Sequence, residues 1–170
     1  MKHKFKLSNQ YPKKRAFITG ASTGLGFEFA NFLINDGWII GLTDINKENL
    51  TKQFNDNESV FLYFFDVSNA EEFEKASLDF IEKVGGIDVL FNNAGVGEGS
   101  YFEQYSLKNW DWIIGINQKG VINGCHFFIP TFKEQQNGMI VNIASAAGYA
   151  NLPKMSPYNV TKASVIALSE

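Results

Sequence analysis

Apolar residues along this chain fall into five short continuous runs, separated by longer stretches in which they recur every three or four positions. The runs at 15–19, 38–43, 60–65, 87–91 and 139–143 read as strands. Continuous rather than alternating apolar runs are expected of strands covered on both faces, as in a parallel sheet. The stretches between them read as helices. The first runs to about Asp36, with Leu25, Phe29, Phe32 and Leu33 on one face and Gly37 as C-cap. A short polar-faced helix follows over 47–55. A capping box, Ser68-Asn69-Ala70-Glu71, opens a third whose inner face is Phe73, Ala76, Phe80 and Ile81, and Gly85-Gly86 ends it. A long helical region spans 107–132, with Ser106 as N-cap and Pro130 marking a bend or stop. The last helix starts from Ser156 as N-cap with Pro157 in its first turn. Residues 1–14 carry no period and read as a flexible lead-in, 92–99 as an Asn- and Gly-rich loop, and 144–155 as a small-residue loop. Strand and helix alternate, so the fold class is α/β: a doubly wound parallel sheet over residues 15–170. Its ligands are expected at the carboxyl ends of the strands. Asp44, Asp66, Asn92, Asn93 and Ser145 all fall at such ends.

The first strand runs into Thr19-Gly20-Ala21-Ser22-Thr23-Gly24-Leu25-Gly26. Glycines at 20, 24 and 26 suit three tasks: a sharp turn, close approach of a ligand to the backbone, and close seating of the helix on the strand. The helix N-terminus after the turn favours an anion, typically a pyrophosphate. The plainer reading is a turn that only packs a helix onto a sheet. Asp44 lies eighteen positions after Gly26, near the spacing of a ribose-binding acid. A carboxylate there accepts from ribose hydroxyls and repels a 2′-phosphate, which favours NAD over NADP. Its alternative is to open the turn Asp44-Ile45-Asn46. Tyr158 and Lys162 share a helix face, and an ammonium beside a phenol favours the phenolate, which suits a general acid or base. A surface Tyr with a solvated Lys has the same spacing. Ser145, thirteen residues before Tyr158 at a strand end, adds a hydroxyl that could polarise a carbonyl oxygen.

Composition narrows the partners. A formal net charge of −3 leaves no basic footprint for nucleic acid. The N-terminal Lys2, Lys4, Lys6, Lys13, Lys14 and Arg15 precede no apolar signal core, and no run reaches membrane-spanning length. One cysteine, Cys125, excludes an internal disulfide and fits a reducing, cytoplasmic compartment. With His3 and His126 it makes no metal-ligand spacing, and Cys125 and His126 are expected in a core or an interface.

The glycine pattern Thr19-Gly20-x-x-x-Gly24-x-Gly26, Asn92-Asn93-Ala94-Gly95, Ser145 and Tyr158-x-x-x-Lys162, in that order, resemble the single-domain branch of the short-chain dehydrogenase/reductase family, from about Arg15 onward. The resemblance implies a Rossmann-like fold and reversible hydride transfer between nicotinamide and an alcohol or carbonyl substrate. It implies Tyr158 as proton donor or acceptor, Lys162 as its partner and a nicotinamide-ribose ligand, and Ser145 as stabiliser of the substrate oxygen. Asn117 in Gly115-Ile116-Asn117 would anchor a proton-relay water; its plainer reading is a helix residue bonding its own backbone. Gly20, Ser22, Thr23, Gly24, Leu25 and Gly26 would hold the pyrophosphate. Asp44 would take the ribose, Asp66 and Val67 the adenine, and Asn93, Ala94 and Gly95 would line the cofactor. The family's usual dimers or tetramers form through the helices of Asn117 and Tyr158. The loop after Gly95, with Tyr101 and Phe102, and the segment 146–155 would meet a hydrophobic alcohol or ketone.

The family pattern runs on past the helix in which Glu170 lies, so the resemblance expects an incomplete C-terminal sheet edge. Two readings follow: an NAD(P)-dependent oxidoreductase, or a non-catalytic fragment with at most weak dinucleotide binding. A sugar-nucleotide epimerase or dehydratase shares Tyr-x-x-x-Lys but has a different glycine spacing.

Overall fold

The computed structural model describes residues 7–170. Five parallel strands form one sheet: β1 (Arg15–Thr19), β2 (Ile39–Thr43), β3 (Val60–Tyr63), β4 (Val89–Asn92) and β5 (Met139–Asn142), in the order β3-β2-β1-β4-β5. The chain winds outward from β1 to β3, then crosses back to place β4 on the other side of β1. Ala16 faces both Ile40 and Val89, and Thr19 faces Thr43, so the strands end in register. The order reverses between β1 and β4, and there the two loops leaving the sheet part to leave a crevice.

Helices cover both faces. α1 (Leu7–Gln10) is a single turn; α2 (Gly24–Asn35) and α3 (Lys47–Phe54) follow β1 and β2; α4 (Ala70–Val84) follows β3. Between β4 and β5 run α5 (Leu107–Ile114), a π-helical turn over Gly115–Lys119, and α6 (Gly120–Gln135). After β5 come α7 (Ala147–Ala150) and α8 (Ser156–Ser169). Side chains alternate along β1 between two cores. Ala16 and Ile18 join Ile40, Leu42, Ala30, Leu33 and Trp38 on one face. Phe17 joins Phe73, Phe80, Leu90 and Phe128 on the other. The Phe17 ring sits 5.5 Å from Phe80 and 5.0 Å from Phe128. The space above it exists because β2 carries Gly41, where a Cβ would overlap that ring.

At the amino ends of the strands, Arg15 and Asp88 form a buried pair, 4% and 6% exposed. Arg15 Nη2 lies 2.9 Å from Asp88 Oδ1, and Arg15 Nε donates to Oδ2 at 3.2 Å. The Arg15 backbone N–H donates to the same carboxylate at 2.9 Å. Gln135 accepts from Arg15 Nη2 and clasps both backbone groups of Ile87.

Several local expectations change in the folded chain. Of the expected lead-in, residues 1–6 lie outside the described residues, but 7–10 form a helical turn and Tyr11 is buried in the core. The inner face of α2 is Gly26, Ala30 and Leu33; Leu25 and Phe32 are exposed, because the close approach at Gly26 rotates that face toward the sheet. Asp36 caps α2 and Gly37 follows it at φ +77°. Asn69, not Ser68, caps α4 by accepting from the Glu72 N–H, while the Ser68 hydroxyl turns back to Asp66. Ser156 is the first residue of α8 and Met155 its cap. Ser106 does cap α5, accepting from the Asn109 N–H. Pro130 does not end α6, which runs on to Gln135; the break in this region is the π turn. Cys125 is half-buried against Asn92 and Asn142, and His126 is exposed, its ring edge-on to Phe127.

Candidate active site

The glycine turn is built by close contact. A Cβ at Gly20, where φ is +66°, would lie 2.7 Å from Ala94 Cα. One at Gly26 would overlap Gly20 O and lie 2.6 Å from Asn93 Nδ2, so that glycine lets α2 sit against the turn. At Gly24, φ +56°, a Cβ would meet nothing within 4 Å; it would point into open space over the helix N-terminus. Gly20 and Gly26 are thus fixed by close contacts, whereas Gly24 faces open space.

The loop after β4 is bolted to this turn. Asn93 Nδ2 donates to Thr19 O (2.9 Å) and Gly20 O (3.0 Å). Thr19 Oγ1 accepts from the Asn93 and Ala94 N–H groups, each at 3.0 Å. Asn92 turns the other way and donates to Asn142 Oδ1 at 2.8 Å. On the far side, Asp44 accepts from the Ser22 N–H and the Asn46 N–H, each at 2.9 Å. It therefore opens the turn Asp44-Ile45-Asn46 and lines the crevice with lone pairs to spare. Asn49 and Gln53 of α3 grip Ser22 O from outside. No sequence signal marked that grip, nor the role of Thr19.

A cleft of about 790 Å³ runs along the carboxyl ends of the strands. At one end lie Gly20, Ser22, Thr23, Gly24, Leu25 and Asp44, with Asp66 and Val67 after the outer strand β3 beyond them; Asn93, Ala94 and Gly95 line its middle; Ser145, Tyr158 and Lys162 close the other end. Gly26, Asn92 and Asn117, singled out at the strand ends and in the motifs, are not in this lining. Ser22 is buried with its N–H spent on Asp44, whereas Thr23 is exposed and its side chain makes no capping bond. Asp66 is held by the N–H and hydroxyl of Ser68. Tyr101 and Phe102 are exposed outside the lining; Leu152 and Met155 are in it.

Lys162 is 4% exposed, its ammonium 5.7 Å from the centre of the Tyr158 ring and donating to Ile143 O at 2.6 Å. Burial pulls its pKa below the ordinary lysine value. Ser145 Oγ accepts from the Ala147 N–H at 3.1 Å. Asn117 sits in the π turn, fully buried. Its Oδ1 accepts from the Val96 N–H and its Nδ2 donates to Val96 O, both at 2.8 Å; Nδ2 also donates to Thr161 Oγ1 at 3.1 Å. It bonds another loop, not its own backbone, and ties the loop after β4 to the helix of Tyr158. π turns inside α-helices recur at functional sites.

The doubly wound sheet carries a glycine turn at one end of this cleft and a Ser, Tyr, Lys group at the other. A short chain dehydrogenase family profile matches residues 14–170. The 3-oxoacyl-(acyl-carrier-protein) reductase of Thermotoga maritima is 32% identical over 161 residues, 92% of this chain and 65% of that protein. A short chain dehydrogenase/reductase from Burkholderia phymatum, solved in complex with NAD, superposes with a TM-score of 0.88 at 34% identity over 92% of this chain and 57% of that one. A gluconate 5-dehydrogenase from Burkholderia cenocepacia, in complex with NADP and tartrate, superposes at 0.83 with 30% identity, over 91% of this chain and 62% of that one. This chain belongs to the short-chain dehydrogenase/reductase family. It spans about two thirds or less of the length of these relatives. No helix among the described residues is long and apolar enough to cross a membrane.

Proposed function

We propose that this chain is the nucleotide-binding and proton-transferring part of an NAD-dependent oxidoreductase acting on an alcohol or its carbonyl. The observation that carries the reading is one cleft with the glycine turn and Asp44 at one end and Ser145, Tyr158 and Lys162 at the other. The residues present fit a dinucleotide: Gly24 leaves the helix N-terminus open, and Asp44 is fixed by two backbone N–H groups so that its remaining lone pairs face the cleft. When bound, the nicotinamide supplies or takes the hydride. Thr23 and the N–H groups at the start of α2 hold the pyrophosphate, Asp44 the adenosine ribose, and Asp66 and Val67 the adenine. Asn93, Ala94 and Gly95 line the path between.

At the reacting end, Tyr158 gives a proton to the substrate oxygen in reduction and takes it in oxidation. The Lys162 charge stabilises negative charge on the Tyr158 oxygen as the proton leaves. One Lys162 N–H is spent on Ile143 O, which leaves two for ribose hydroxyls. Ser145 orients the substrate oxygen, and Asn117 holds the π turn that anchors a relay water. The asymmetry at Asp44 favours NAD, since a 2′-phosphate there meets a carboxylate. Lys47, the nearest cation in sequence, lies over the Phe64 ring, 5.2 Å from its centre.

The test is a parallel fluorescence titration of the chain with NADH and NADPH. Saturable binding that favours NADH is expected. Preference for NADPH sinks the Asp44 argument alone, and binding of neither sinks the dinucleotide reading.

A further inference from the structure

The segment between α7 and α8 supplies Leu152 and Met155 to the cleft beside Tyr158. It has no regular structure, and Asn151 and Lys154 adopt left-handed φ values of +49° and +60°. Non-glycine residues hold such backbone only where neighbours over-determine it. Two buried side chains do so here. Asn159, next to Tyr158 on α8 and 9% exposed, accepts from the Leu152 N–H (3.2 Å) and donates to Leu152 O (2.8 Å). Tyr105, 8% exposed, reaches Lys154 O with its hydroxyl at 3.0 Å. That hydroxyl also touches Glu98 O and accepts from the Ser100 N–H at 3.1 Å. The Ser100 N–H donates in turn to Lys154 O at 2.8 Å, and the Lys154 ammonium lies 4.4 Å over the Tyr101 ring.

We infer that Asn159 and Tyr105 are positioning residues that hold Leu152 and Met155 as a preformed apolar wall, so that the site takes the hydrophobic part of an apolar ketone or alcohol. The wall stands next to the proton-transferring group because one clamp, Asn159, is the neighbour of Tyr158 on the same helix. Met155 reaches across to the loop after β4: a Cβ at Gly97 would lie 3.5 Å from Met155 Cε and 3.2 Å from Tyr158 Cδ2. Both sides of the substrate end are thus closed by apolar groups, with no charged side chain among its lining residues except Lys162. The assignment of this end to substrate rests on the reading proposed above; the clamping does not.

The test uses 2-octanone as the probe, titrated by saturation-transfer NMR with and without NADH. The wild-type chain is compared with Asn159→Ala, Tyr105→Phe, Leu152→Ala and the Asn159→Ala/Leu152→Ala double variant. Leu152 is 44% exposed, so its truncation leaves a folded chain even if Asn159→Ala does not. Each single variant is expected to weaken 2-octanone binding about fivefold, the worth of one such hydrogen-bond pair or side-chain contact. NADH affinity should stay within about twofold, and the double variant should be no weaker than either single one, because Asn159 acts through Leu152. Absence of saturable 2-octanone binding to the wild-type chain, an unaltered affinity in Leu152→Ala, or multiplying effects in the double variant overturns the inference. Loss of NADH binding in the wild-type chain instead overturns the dinucleotide reading, and the titration without NADH still reads the wall.

Discussion

Replacing Asp88 with Ala strands a guanidinium in the protein. Arg15 is 4% exposed and directs Nε and Nη2 at that one carboxylate, so the loss cannot be made good by solvent. Breaking a buried pair by removing one partner costs about 3–5 kcal/mol, a large share of the roughly 5–15 kcal/mol by which domains are stable. With a urea dependence of about 2 kcal/mol per molar, the unfolding midpoint should fall by roughly 1.5–2.5 M. Thermal unfolding should drop by about 6–20 °C, at 2–4 °C per kcal/mol for a chain of this size. Replacing both residues, Arg15→Met with Asp88→Leu, should recover part of the loss, since apolar substitutes for a buried pair are often neutral or stabilising, less the cost of the Arg15 backbone N–H that Asp88 no longer accepts from. Gly85 O, which also accepts from Arg15, is exposed and can turn to water. Nucleotide affinity should not move. Arg15 lies four residues before Thr19 on β1, about 13 Å from the cleft end at the rise of a strand. Urea titrations of Asp88→Ala, Arg15→Met, Asp88→Leu and the Arg15→Met/Asp88→Leu double variant, read with NADH fluorescence, make the check. A loss for Asp88→Ala below about 1 kcal/mol, or simple additivity in the double variant, refutes the claim that the two charges form one buried unit.

Four further outcomes are expected. Gly24→Ala should cost about 1–2 kcal/mol for the left-handed backbone yet weaken NADH binding at least tenfold, because its methyl group enters the cleft. Gly41→Ala, overpacked against Phe17 by about 1–3 kcal/mol, should lower stability and leave NADH affinity unchanged; parallel melts and titrations separate them. For Lys162, whose folded pKa lies below its ordinary 10.5, the unfolded chain binds more protons between the two values. The Lys162 contribution to stability therefore rises with pH through that window and levels off above 10.5. The unfolding free energy of wild type relative to Lys162→Met, in a Tyr158→Phe background, should climb from neutral pH toward pH 11; a flat or falling difference rejects the burial argument. Asp44→Ala should lower NADH affinity and remove or reverse its advantage over NADPH in the paired titration, and an unchanged ratio rules Asp44 out as the discriminator.

Strand positions, the α/β class and the line of candidate site residues were legible in the sequence because they rest on local causes. A continuous apolar run records burial on both faces. A glycine records a backbone that must turn or come close, and a fixed spacing on a helix records a shared face. Tyr158 and Lys162 needed only the 3.6-residue period to be paired, and Gly20, Gly24 and Gly26 needed only their missing Cβ. What stayed hidden depends on partners far along the chain. Leu25 and Phe32 fit an amphipathic pattern, yet face out, because the Gly26 contact with Gly20 O sets the rotation of α2. Ser68 fits a capping box, yet serves Asp66, because the turn leaving β3 presents that carboxylate first. The π turn around Asn117 follows from bonds to Val96 and Thr161, 21 and 44 residues away. Arg15 and Asp88 are 73 residues apart and meet only because β1 and β4 are neighbours in a sheet whose order the strands by themselves do not reveal. Local sequence determined which residues are candidates for the cleft, through steric and periodic constraints within a turn or two. The tertiary structure decided how they are held, because hydrogen bonds and buried charges are satisfied by whatever the fold brings within about 3 Å.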